Sequence, residues 1–89
     1  MRAYHGTYFV SGAKVIESDD LKIITSMLEK DLTRMASDPD TWETLYFCNR
    51  DNSYWLLSYE HPEMQGGGVK VLNEIREEDA IALSKKLKQ

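Results

Sequence analysis

A single cysteine, Cys48, stands among 89 residues, so no internal disulfide can form. Secreted domains of this size ordinarily depend on such staples, and the pattern points to a reducing compartment. No run of about 18 apolar residues occurs, so no segment reads as a membrane-spanning helix. The opening Met1-Arg2-Ala3-Tyr4-His5 lacks an apolar stretch of the secretory kind, and a cytoplasmic location is expected. A basic surplus is missing too: eleven Lys and Arg stand against fifteen Asp and Glu, a net charge of −4. Nucleic acid is a poor partner for such a chain, because neutralising phosphates takes a basic face. The same balance argues against an anionic membrane. It suits a basic protein partner, which acidic groups steer and orient.

Groups able to do chemistry are equally sparse. His5, His61, Cys48, Glu60 and Glu63 are the metal-ligand types of note, and no pair has the spacing of a zinc finger or of HExxH. No metal and no cofactor is expected. Gly66-Gly67-Gly68 invites a phosphate-loop reading, but Val69-Lys70-Val71 follows where a Walker loop needs Gly-Lys-Ser/Thr opening a helix. Glycines there serve positive φ or close backbone approach. Cys48 sits mid-pattern near a strand end, with no helix start to depress its pKa, and reads as a buried structural thiol. Glu60 and Glu63 form an acid pair, but no pocket can be inferred that would raise either pKa. The expectation is a binding protein and not an enzyme.

What the chain does carry is alternation. Thr7-Tyr8-Phe9-Val10 and Ala13-Lys14-Val15-Ile16 read as strands joined at Ser11-Gly12, where Gly12 accepts positive φ. Such a hairpin is marginal alone and needs something to dock on. Ser18 or Asp19 caps a helix whose apolar residues recur at Leu21, Ile24, Met27, Leu28, Leu32 and Met35, and which is predicted to end near Ala36-Ser37, before Pro39. Trp42–Cys48 and Tyr54–Glu60 read as strands around an Arg50–Ser53 turn, with Asn52 the residue best suited to left-handed geometry. Leu45 and Phe47 mark the expected core side of the first. Val69–Ile75 is a further strand, and Glu77–Lys88 a terminal helix with acids leading and lysines trailing. The prediction is a single α+β domain over 1–89. It has an antiparallel sheet of about five strands and two helices in the order β-β-α-β-β-β-α, both helices on one face.

Trp42-Glu43-Thr44-Leu45-Tyr46, Arg50-Asp51, Tyr54-Trp55, Ser58-Tyr59, Glu63-Met64-x-Gly66-Gly67-Gly68, then Leu72 and Ile75, resemble the immunity protein 27 family of small bacterial proteins encoded beside polymorphic toxins. The resemblance runs from about Gly6 to Ala80. It departs where the family tends to have Asp-Gly in the hairpin and this chain has Asp51-Asn52, and where Gln65 replaces a histidine before the glycines. Val69-Lys70 stands where the family favours proline. Arg76 stands where the family favours a serine cap, so the last helix lacks a side-chain cap acceptor.

The resemblance implies inhibition of a cognate toxin, encoded by the adjacent gene, by tight binding in the producing cell. If the toxin is a nuclease, its basic cleft attracts acids. Glu43, Asp51, Glu60 and Glu63 are those nearest the motifs, with His61 beside them. Trp55, Tyr59 and Met64 are candidate apolar anchors, although the size of Trp42 and Trp55 suits both to the core. The alternative is a small ligand-binding or regulatory domain using the Glu63–Gly68 loop, as a monomer or homodimer.

Overall fold

The computed structural model describes residues 1–60 and 69–87. His61, Glu63, Met64, Gly66, Gly67 and Gly68 lie outside them. In chain order the elements are β1 (Ala3–Gly6), β2 (Tyr8–Ser11), β3 (Lys14–Glu17), α1 (Asp19–Lys30), β4 (Leu32–Ser37), β5 (Thr44–Cys48), β6 (Tyr54–Glu60), β7 (Val69–Ile75) and α2 (Glu77–Lys86). Five strands form one antiparallel sheet in the order β1-β7-β6-β5-β4, and β2 and β3 form a separate ribbon. The α+β class, the five-stranded sheet and the two helices agree with the expectation. The element order differs from it by two strands, β1 and β4.

The first helix is shorter than its apolar spacing predicts. Ser18 caps it, its Oγ accepting from the Leu21 amide at 3.1 Å. The helix ends at Asp31 instead of near Ser37, and residues 32–37 pair with β5. The register slips between Arg34 and Ala36, a bulge at Met35. On its two sides, Leu32 packs into one cluster and Ala36, fully buried, into another. Pairing along β5 satisfies a whole row of backbone groups and buries both faces. That outweighs the helical preference of a few residues.

The helices cover opposite faces of the sheet, a correction to the one-face expectation. In β6 the side chains alternate, as strand geometry requires. Trp55 and Leu57, with Cys48 and Leu72, pack against Ile24, Met27 and Leu28 of α1. Tyr54 instead joins Leu45, Ala36 and Ile75 beneath Ala80 and Leu83 of α2, with Leu87 just past its end. Both sides of β5 are therefore core, not the Leu45 side alone. Gly6 is what lets α1 lie close to β1. A Cβ there would stand 3.0 Å from both Leu21 Cδ1 and Ile24 Cδ1.

The β2–β3 ribbon joins neither face. A two-residue turn, Gly12-Ala13, closes it with Gly12 at φ +63°. At its root Ser18 donates its amide to the Thr7 carbonyl at 2.9 Å, and the Thr7 amide donates back to Ser18 Oγ at 3.0 Å. Phe9, Val15 and Ile16 stay exposed, at 56%, 64% and 39%. Among the described residues this ribbon is where apolar side chains most plainly lack a core.

Candidate partner-binding surface

Strand direction sorts the candidate residues to two ends of the sheet. At one end lie the turn of residues 49–53, Arg2 and Glu74; at the other lie the turn of residues 38–43, Tyr59, Glu60 and the root of the ribbon.

The first end is a closed electrostatic knot. Arg2 Nε donates to Glu74 Oε1 at 3.0 Å, and its Nη2 to Asp51 Oδ2 at 2.7 Å. The guanidinium lies 5.0 Å from the Trp55 ring centroid, and Tyr4 stacks on the same indole at 5.9 Å. Trp55 Nε1 donates to Ser53 Oγ at 2.7 Å, and that hydroxyl donates to Asp51 Oδ1 at 2.5 Å. Asn52, at φ +60°, makes the reversal that carries Asp51 and Ser53 here. Asp51, expected at a partner surface, thus has its carboxylate engaged within the molecule. Trp55, expected as an anchor, has no exposed surface. A cavity of about 350 Å³ opens beside the knot between Tyr4, Met27, Asp31 and Arg50. Its charges already face one another, Arg50 Nη1 lying 3.7 Å from Asp31 Oδ2.

These contacts set a pH dependence. The Ser53 hydroxyl and the Arg2 guanidinium hold the Asp51 carboxyl well below its ordinary value, and Arg2 lowers that of Glu74. A carboxylate lowered in the folded state contributes stability that is present above its unfolded pKa and lost as pH falls through the folded one. The thermal midpoint should be flat from neutrality to about pH 5 and fall below about pH 4. Arg2→Ala should make that acid slope shallower in melts recorded across the range.

Among the described residues the second end is the open one. Trp42 is 63% exposed and sits at φ +65°, a left-handed conformation that a bulky residue rarely adopts. The turn around it is tied down. The Trp42 amide donates to the Asp38 carbonyl at 2.8 Å, and the Asp38 amide to the Glu43 carbonyl at 2.8 Å. The Asp38 carboxylate accepts from the Asp40 amide at 2.8 Å, which lowers its pKa. Thr44 pairs with Leu57, so Trp42 stands beyond the ladder opposite Tyr59, their rings edge to face at 6.3 Å. Half-buried Glu43 follows, and Glu60 next to Tyr59 lies 3.1 Å from His5 Nε2.

Three residues expected at a partner surface, Glu43, Tyr59 and Glu60, therefore collect at one corner. Asp51 and Trp55 lie elsewhere, and His61, Glu63 and Met64 are outside the described residues. Trp42, expected within a strand and suited to the core, stands exposed at the same corner, outside the strand. The signal was its place at the end of Ser37-Asp38-Pro39-Asp40-Thr41, a run of turn formers that delays the strand to Thr44.

The family model for immunity protein 27 matches residues 10–76. The chain belongs to the immunity protein 27 family. Neither a curated protein nor a solved structure matches it. In this immunity protein 27 member the matched span runs from β2 to the cap of α2, and takes in the Trp42 corner and the 49–53 turn. Among the described residues no group of three His, Cys, Asp or Glu could hold a metal ion, and no helix is long and apolar enough to cross a membrane. Cys48 is buried and free.

Proposed function

We propose that this protein binds and neutralises a cognate toxin encoded by the adjacent gene, and that the Trp42 corner is the contact. The work is done by binding alone, in the cytoplasm of the producing cell. The observation that carries this reading is the exposed, left-handed Trp42. Strained backbone persists only where its surroundings over-determine it, and it gathers at functional sites. Large aromatic side chains dominate binding hot spots. An indole held out into water at a conformational cost fits a surface completed by another macromolecule.

Chemistry around the indole narrows the partner. Glu43 and Glu60 follow Trp42 and Tyr59 directly in the chain, at the same end of the sheet, and the chain as a whole is acidic. Such a corner suits a basic protein surface, the kind a nuclease presents to its substrate, and acids at the rim speed association more than they add affinity. Rescue of growth on co-expression with the neighbouring toxin gene, with a stable complex on purification, is the expected result. No rescue and no complex would end this reading.

A further inference from the structure

We propose that the outer edge of β3 is a strand-addition seat for the toxin: an extended segment of the toxin pairs with Lys14–Glu17 and widens the ribbon into a three-stranded sheet. This rests on the toxin-binding reading and gives it a second point of attachment.

The phase of the ribbon fixes which groups are on offer. Ser11 and Lys14 flank the two-residue turn, and Ser18 donates to Thr7 at the root. In an antiparallel ladder, hydrogen-bonded pairs alternate with pairs that are not. Lys14 and Ile16 therefore spend their backbone groups on β2, and Ser18 its amide on the Thr7 carbonyl. Val15 and Glu17 turn theirs outward. Among the described residues no strand pairs with that edge. Every residue of β3 is exposed. An edge of this kind, without proline or bulge, is a template for another strand.

The side chains describe the occupant. Phe9 and Ile16 pair across one face of the ribbon, and Val15 stands on the other. An added strand covers apolar surface on both. Opposite Glu17 it carries a basic residue, opposite Lys14 an acidic one, and opposite Val15 and Ile16 apolar ones. Asp19, exposed just past the strand, extends the acidic root toward the same basic partner. The ribbon also springs from the end of the sheet that carries Trp42, so one partner can reach both.

A second copy of this chain fits the edge poorly. A two-fold axis keeps each face on its own side, so only residues of equal parity can meet. With Val15 and Glu17 facing out, three registers are open. They set Lys14 against Ile16 of the other copy, Val15 against its Glu17, or Glu17 against its Glu17. Each leaves a charge against an apolar group or against a like charge. A foreign strand is under no such constraint.

The test uses the whole chain and the toxin domain encoded by the neighbouring gene, catalytically inactivated. In the complex the Val15 and Glu17 amides should gain hydrogen-exchange protection of about tenfold or more, while Lys14 and Ile16 are already protected when free. Val15→Pro removes one outward N–H without touching the β2 ladder, and proline is tolerated on such an edge. It should weaken binding about tenfold or more. If the wild type binds, Val15→Pro binds equally and neither amide is protected, the seat is overturned and the toxin reading stands. If the wild type does not bind the toxin at all, the toxin reading itself falls. A concentration-dependent dimer abolished by Val15→Pro would assign the edge to a second copy and overturn the seat. Should Val15→Pro fail to fold, the wild-type exchange measurement decides alone.

Discussion

Trp55→Ala is expected to lower the unfolding free energy by about 4 kcal/mol. The indole is wholly buried between the sheet and α1. Its removal forfeits the transfer energy of a large ring and leaves a cavity that flanking strands cannot collapse into. Further losses come at the knot. Tyr4 loses its stacking partner at 5.9 Å, Arg2 the ring beneath its guanidinium, and Ser53 Oγ a donor at 2.7 Å. Domains of this length are stable by roughly 0.05–0.15 kcal/mol per residue, so the variant would stand at or near the threshold of folding. Trp55→Phe keeps most of the volume and should cost about half as much or less. Urea denaturation of the three proteins measures both. A loss under about 1.5 kcal/mol for the alanine variant would mean that the sheet is not organised around this ring.

Why some of the fold was legible and some was not follows from where its information lies. The β5–β6 hairpin was readable because its signal is local: alternation on both sides of a turn, with Asn52 at the position that adopts φ +60°. The start of α1 was readable for the same reason, since Ser18 is its own cap. β4 was not. Its core-facing residues, half-buried Leu32 and buried Ala36, are four apart, the spacing of one helical face. In the structure they point to opposite faces of a strand, because the bulge at Met35 inserts one residue between them. A bulge erases the period of two that would have announced the strand. β1 was hidden differently. Ala3-Tyr4-His5-Gly6 has little strand preference of its own, and it pairs because β7 offers an edge and Arg2 bonds to Glu74 and Asp51. Those partners are 72 and 49 residues away along the chain. Opposite placement of the helices was illegible until β4 closed the sheet and gave it two buried faces.

The corner was half legible for a related reason. Glu43, Tyr59 and Glu60 stand in or beside the motifs, and strand pairing carries them to one end of the sheet. Asp51 and Trp55 belong to the same motifs but stand at the other end, Asp51 exposed and held by Arg2 and Ser53, Trp55 buried in the core. A motif records that residues matter, not on which side of a sheet they stand.

Trp42→Gly should separate the two roles more sharply than any other change: binding of the toxin falls by about 100-fold, and the fold is left within about 1 kcal/mol of the wild type. Left-handed backbone costs a residue with a Cβ about 1–2 kcal/mol, and glycine recovers it. Against that stand the edge-to-face contact with Tyr59, worth about 0.5–1.5 kcal/mol, and the greater freedom of glycine in the unfolded chain, about 0.5–1 kcal/mol. These nearly cancel. Trp42→Ala loses the ring and keeps the strain, so it should be the less stable of the two by about 1 kcal/mol, while binding falls just as far. Denaturation and calorimetric titration of both variants read the two effects separately. The ordering glycine above alanine in stability, with both defective in binding, is what the proposed contact predicts for an indole held in water by backbone at φ +65°. If Trp42→Gly bound the toxin as the wild type does, the exposed ring would have no such role.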